Sequence, residues 1–298
     1  FLLVVFAAIA AADDKPLPII DMHMHAWPAD AQGPPPVAMC TPWPAFPAWD
    51  QRQDYPAVFL QILKNPPCTD PVWSPATDAG VMEQTIEIMR RRNIIGVLSG
   101  RPERVAAWRK AAPNRFYPGF ELSLEDGELA PGALRDLHAQ GRLAVIAEIL
   151  NQYAGIPPND ERMAPYWAFA EELDIPVGIH IGTGPPGAIY LGFSNYRAHL
   201  HSALTLEEVL VKHPRLRVYI MHAGFPMLDD LLAVLYAHPQ VYVGVGVIVY
   251  LQPRAVFYRY LQGIVDAGYG ERVMFGSDQV IWPGVIERAI ETIEAAPF

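Results

Sequence analysis

Eight short runs of apolar and β-branched residues recur after Asp13, at 17–22, 93–99, 116–122, 143–149, 175–181, 217–221, 241–247 and 272–276. Amphipathic stretches separate most of them: "DAGVMEQTIEIMRR", "PERVAAWRKAAP" and "ELAPGALRDLHAQ" early on, then "NDERMAPYWAFAEEL", "TLEEVLVKHP", "MLDDLLAVLYAHP" and "PRAVFYRYLQGIVDAG". Strands this apolar are buried on both faces, which requires a parallel sheet with helices packed outside it. Eight strand-helix repeats predict a closed (β/α)8 TIM barrel. An open doubly wound sheet would want a Gly-rich turn after its first strand, and that turn here is "MHMHAWP". A 298-residue chain that is 51% hydrophobic holds ample core for one barrel domain over 13–298.

Two stretches depart from the repeat. Residues 27–79 are long, rich in Pro and Trp ("GPPPVAMCTPWPAFPAW") and without clear periodicity, so they are expected to form a lid or substrate wall after the first strand. At the other end "PGVIERAIETIEAAPF" makes one last helix, a minimal closure that predicts further residues beyond Phe298. The first twelve residues, "FLLVVFAAIAAA", are too short to span a bilayer and read as the apolar region of a secretory signal clipped at its start. The alternative is a buried N-terminal strand. The signal predicts a periplasmic or secreted protein with no stable membrane insertion once it is removed. Cys40 and Cys68 either pair, closing a loop worth roughly 3.5 kcal/mol, or stay as free thiols; their spacing fits neither C-x-x-C nor a zinc finger. A formal charge of -10 argues against nucleic acid as a partner. The one basic run, 90–92, closes a helical pattern, where it complements the helix dipole.

The strand ends carry the chemistry. Alternation along "IIDMHMH" points His23 and His25 the same way and Met24 the other. Two adjacent buried imidazoles are costly to desolvate unless something binds them, and a metal ion is the commonest such partner. Strand four ("LAVIAEIL") carries Glu148, strand five ("PVGIHIG") His180, strand six ("RVYIMHAG") His222, and strand eight ("RVMFGSD") Asp278. Singly, each has a bland reading as a hydrogen-bonded core histidine, a salt-bridge partner or a loop start. Jointly, four histidines and two carboxylates at one end of a barrel point to a metal site, the end where such barrels place their active sites. His138, His199, His201, His213 and His238 fall in helices or before turns and read as structural or solvent-facing.

This ordered set, His-x-His on strand one, His on five and six and Asp on eight, resembles the metal-dependent amidohydrolase superfamily. The wording "IIDMHMH", "GIHIGTG", "YIMHAGFPMLDD" and "RVMFGSDQ" is similar to its amidohydrolase-related branch, which also contains aminocarboxymuconate-semialdehyde decarboxylase and other carboxy-lyases. The resemblance runs from about residue 17 to about residue 290 and is specific for the superfamily, not for a substrate. It implies that His23, His25 and Asp278 hold one ion and that His180 is a further ligand. His222 is then a second-metal ligand or a catalytic imidazole. Members with two metals carry a bridging strand-four carboxylate, and single-metal decarboxylase-like members need none. Glu148 therefore favours two ions, with His180 and His222 on the second; a supporting place behind the ligands is the alternative.

Such donors suit Zn²⁺, with Mn²⁺, Fe²⁺ or Co²⁺ compatible. The expected reaction is hydrolysis of an ester, lactone or amide in a small organic substrate, with Asp278 as the proton carrier. Non-oxidative decarboxylation is the alternative. Barrel deoxyribonucleases use similar ligands, but the acidic balance disfavours them, and a non-catalytic binding protein would hold metal without turnover. Arg101, just past strand two, could fix a substrate carboxylate, and Trp and Tyr in the insertion suggest an apolar or aromatic substrate. A homo-oligomer is left open.

Overall fold

The computed structural model describes residues 16–125 and 129–298; the apolar stretch 1–12 lies outside them. Eight parallel strands follow one another around a barrel: β1 (Ile19–His25), β2 (Ile94–Ser99), β3 (Phe116–Leu122), β4 (Val145–Ile149), β5 (Val177–His180), β6 (Val218–Met221), β7 (Val241–Gly244) and β8 (Val273–Met274). Each pairs in parallel with the next, as in Ile19 with Ile94 and Val177 with Val218. β1 begins later than the apolar run because Pro18 has no N–H to give the ladder, and Leu17 is exposed. It continues through His25, which pairs with Ser99, so both histidines belong to the strand.

The first and last strands meet at a seam fastened partly by side chains. Met22 N donates to Phe275 O at 2.9 Å and Asp278 N to His23 O at 2.7 Å. One carboxylate oxygen of Asp21 accepts from His23 N (3.0 Å) and Ser277 N (2.9 Å). The Gln279 amide accepts from His25 N at 3.0 Å and donates to His25 O at 2.6 Å.

Inside the barrel, Val97, Val145, Ala147, Tyr219 and Met221 form a plug packed against Met22 and Met274. A larger core lies between strands and helices, where Trp167, Phe169 and Leu210 pack with Ile179 and Val218. No helix among the described residues is long and apolar enough to cross a membrane.

The 27–79 insertion is more ordered than its composition suggests. Tyr55–Lys64 is a helix: Asp54 caps it by accepting from Ala57 N at 3.0 Å, Pro56 sits in its first turn, and Tyr55 and Leu63 are buried. Ala38–Met39 pairs antiparallel with Val72–Trp73. Cys40 and Cys68 are joined in a disulfide across 28 positions. Trp282 Nε1 donates to Val37 O at 2.9 Å and Trp43 N to Leu251 O at 3.0 Å, tying the insertion to the barrel.

Candidate metal centre

The six side chains singled out at the strand ends converge, and all lie between 1 and 6% exposed. β1 presents His23 and His25, β4 Glu148 and β5 His180; His222 and Asp278 follow β6 and β8 directly or within a short turn. His222 (φ 61°) and Asp278 (φ 51°) both take left-handed backbone conformations that non-glycine residues seldom adopt, a cost of about 1–3 kcal/mol each. Fixed partners hold them there: His222 Nδ1 lies 3.0 Å from Gly246 O, and the Asp278 amide is bonded to His23 O. Gly246 has to be a glycine, because a Cβ there would come within 2.6 Å of His23 Nδ1 and 3.1 Å of Asp278 Cβ.

The donor atoms divide about Glu148. Its Oε2 stands 3.5 Å from both His23 Nε2 and His25 Nε2, while its Oε1 stands 2.7 Å from His180 Nδ1 and 3.2 Å from His222 Nε2. Asp278 Oδ1 closes the first group at 3.5 Å from His23 Nε2 and 3.2 Å from His25 Nε2. Within each group the imidazole nitrogens nearly touch: His23 Nε2 to His25 Nε2 is 3.0 Å and His180 Nδ1 to His222 Nε2 is 2.9 Å.

These spacings suit a cation. Donors bound tetrahedrally at zinc-nitrogen distances are about 3.3 Å apart. The bond from His222 Nδ1–H to Gly246 O leaves a lone pair on Nε2 facing the cluster. Three sets of side chains bring ligand atoms within 4.8 Å of one another: His23, His222 and Asp278; His23, His25 and Glu148; Glu148, His180 and His222. The donor set, imidazole nitrogens with carboxylate oxygens, is one that divalent ions take.

The electrostatics agree. Burial acts to raise the Glu148 carboxyl, but His23 and His180 overcome it and hold it well below the usual range. Asp278 is likewise lowered, burial being outweighed by His23 and His25. Burial and the neighbouring His222 lower His180. His25 is pushed up to about 10, because the nearby carboxylates of Asp278 and Glu121 outweigh its burial. Removing both carboxylates would leave His23, His180 and His222 without the carboxylates that face them.

Three supporting groups escaped the reading of strand ends. Glu121, near the end of β3, has Oε2 3.4 Å from His25 Nδ1 and accepts from Trp27 Nε1 at 2.6 Å. It interrupts its strand much as Glu148 does, so the same signal was available. Asp21 and Gln279 form the seam described above. His201 takes the structural of its two readings: it is buried, and its Nε2 lies 2.7 Å from the Tyr196 hydroxyl, which accepts from Gly184 N at 2.8 Å and so fixes the loop after His180. Burial, with His180 and His222, brings His201 down to about 4.

A cavity of about 660 Å³ opens onto the centre and is lined by His25, Glu148, His180, His222 and Asp278, with Met39, Trp43, Phe59 and Leu60 from the insertion. Arg101 does not line it. It lies with Arg104 and Glu103 in an adjoining groove that shares Trp27 and Glu121 with the cavity.

The family model for amidohydrolases matches residues 20–295. No curated protein matches the chain. Among solved structures it is similar to an uncharacterised TIM-barrel protein from Bordetella bronchiseptica (19% identity, TM-score 0.60, 93% of this chain and 91% of that one). A probable 2-pyrone-4,6-dicarboxylic acid hydrolase from Acinetobacter baumannii, with citric acid bound, gives 15% identity and a TM-score of 0.55 over 93% of this chain and 91% of that one. A 2,6-dihydroxybenzoate decarboxylase from Rhizobium gives 15% identity and 0.53 over 94% and 92%. At these identities the structures share a fold, and that fold serves both reaction types. With the family model matched over nearly the whole barrel, the chain belongs to the amidohydrolase family.

Proposed function

We propose that the chain is a two-metal hydrolase that cleaves an ester, lactone or amide in a small organic substrate. The observation that carries this reading is the division of Glu148, one oxygen toward the His23–His25 pair and the other toward His180–His222. A carboxylate so placed is suited to bridge two ions, His23, His25 and Asp278 holding one, His180 and His222 the other. Zn²⁺ is the first choice for this donor set. When bound, such ions lower the pKa of water from about 15.7 toward roughly 7 and polarise a carbonyl.

The chain's own groups supply the rest. Asp278, held against His25 and His23, takes the proton of the attacking water on its carboxylate and returns it to the leaving group. The Gly246 carbonyl fixes the His222 tautomer so that its Nε2 stays a donor atom. The insertion lines the cavity with Met39, Trp43, Phe59 and Leu60. The Cys40–Cys68 disulfide supports an oxidising compartment, in keeping with a periplasmic or secreted protein.

Counting metal per chain in the protein purified without chelators tests the reading. About two ions, falling toward one in Glu148→Gln, is the expected outcome, with acid released from substrate and no CO₂. One ion in both proteins would remove the bridging role of Glu148 and put decarboxylation first, and CO₂ release would make decarboxylation the activity.

A further inference from the structure

We infer that the site takes substrates whose non-reacting part is apolar, aryl-sized and free of negative charge. The inference deepens the hydrolase reading and rests on it for which end of the cavity reacts. At about 660 Å³ the cavity has room for a single-ring or two-ring organic molecule. Much of its lining beyond the ligand side chains is apolar and aromatic: Trp43 and Phe59 from the insertion, Val247 and Leu251 after β7, Trp282 after β8.

Apart from its histidines, the charge of the lining has one sign. The acidic side chains lining the cavity are Glu121, Glu125, Glu148 and Asp278, and among the described residues lining it there is no Lys or Arg. Glu148 and Asp278 sit within the imidazole cluster, Glu121 borders it through His25 Nδ1 at 3.4 Å, and Glu125 is exposed; all four line the cavity. Glu121 is pinned in place by Trp27 Nε1 at 2.6 Å. Arg101 and Arg104 stand in the adjoining groove, and Arg104 is already paired with Asp78 at 2.7 Å.

A remote carboxylate in this cavity would lose water, gain no Lys or Arg partner, and share the lining with Glu121 and Glu125. An anionic group at the reacting end is different, since bound ions would neutralise it. Selection therefore acts on the distal substituent. A methyl group meets the aromatic wall, and an ammonium group meets aromatic faces and carboxylates, both favourable.

Two matched panels on the metal-loaded protein test this. The first is three phenyl acetates bearing methyl, trimethylammoniomethyl or carboxymethyl at the para position, each kcat/KM divided by the ester's hydroxide rate. The second is three benzohydroxamates with the same substituents, whose hydroxamate takes the ions and whose binding is read by quenching of tryptophan fluorescence. The carboxylate member should trail the methyl member at least tenfold in both panels. Replacing Glu121 and Glu125 together (Glu121→Gln, Glu125→Gln) should narrow that gap several-fold. Equal or tighter binding of the carboxylate hydroxamate to the wild-type protein overturns the inference, whatever the esters do. The expected binding order without hydrolysis of any ester would uphold the inference while removing the hydrolase reading.

Discussion

His222 and Asp278 show how single residues are bent to the needs of the centre. Both accept an unfavourable backbone conformation that aims the side chain into the cluster. If Asp278 carries the proton, Asp278→Asn should lower kcat by about 10²–10⁴ while most of the metal stays bound, since an amide oxygen still coordinates but cannot carry a proton. Turnover and metal content measured on the same sample decide it, and full activity would remove Asp278 from the mechanism. Asp21 makes a different prediction. Burial pushes its carboxyl from 3.8 up to about 6, against the hydrogen bonds from Ser277 and His23. A folded pKa above the unfolded one stabilises fully below about pH 4, and that contribution is lost as pH rises through 6. The shift corresponds to about 3 kcal/mol. Asp21→Asn keeps the accepting oxygen but does not ionise, so its stability relative to the wild type should rise between pH 4 and 7. Urea unfolding at both pH values measures this, and a flat difference would mean that Asp21 does not titrate there. The six site residues were legible because each breaks an otherwise apolar run. Asp21 was not singled out, although it breaks one too, because its partner Ser277 lies 256 positions away.

At the scale of elements, strands buried on both faces are written as unbroken apolar runs, so their order was readable while their ends shifted with Pro18 and the turn at Gly246. The insertion was harder. Asp54 and Pro56 signal a helix start, yet the neighbouring Pro-rich segments mask the short periodic stretch after them. Cysteine spacing left two outcomes open, and only the folded path of 27–79 brings Cys40 and Cys68 together. That bridge closes a 28-position loop, which chain entropy values at roughly 3.5 kcal/mol. Cys40→Ser combined with Cys68→Ser should lower the unfolding free energy by about that amount. Because Met39, Trp43 and Phe59 line the cavity, KM should also rise more than kcat falls. Unchanged KM in that variant would detach the insertion from substrate binding.

For the whole molecule, the centre draws on both sides of the seam where the first and last strands of the barrel meet. His23 and His25 stand on one side of the β1–β8 seam and Asp278 on the other, and β8 is only two residues long. An ion bound by all three is a clasp on the barrel. At a metal concentration 100-fold above its dissociation constant, one site adds about 2.7 kcal/mol. Removing metal with a chelator should therefore lower the melting temperature by about 5–10 °C, reversed by adding metal back. A melting curve indifferent to chelation would mean that no ion spans the seam.

The same seam sets an order of events during synthesis. His23, His25, Glu148, His180 and His222 have all been made before the residues that complete the centre, and Asp278 arrives with Ser277 and Gln279, the groups that lock the last strand to the first. A ribosome-bound chain cannot carry the finished centre until that final strand has emerged and docked. A chain interrupted before Asp278 is thus left without one of the six side chains that converge at the strand ends.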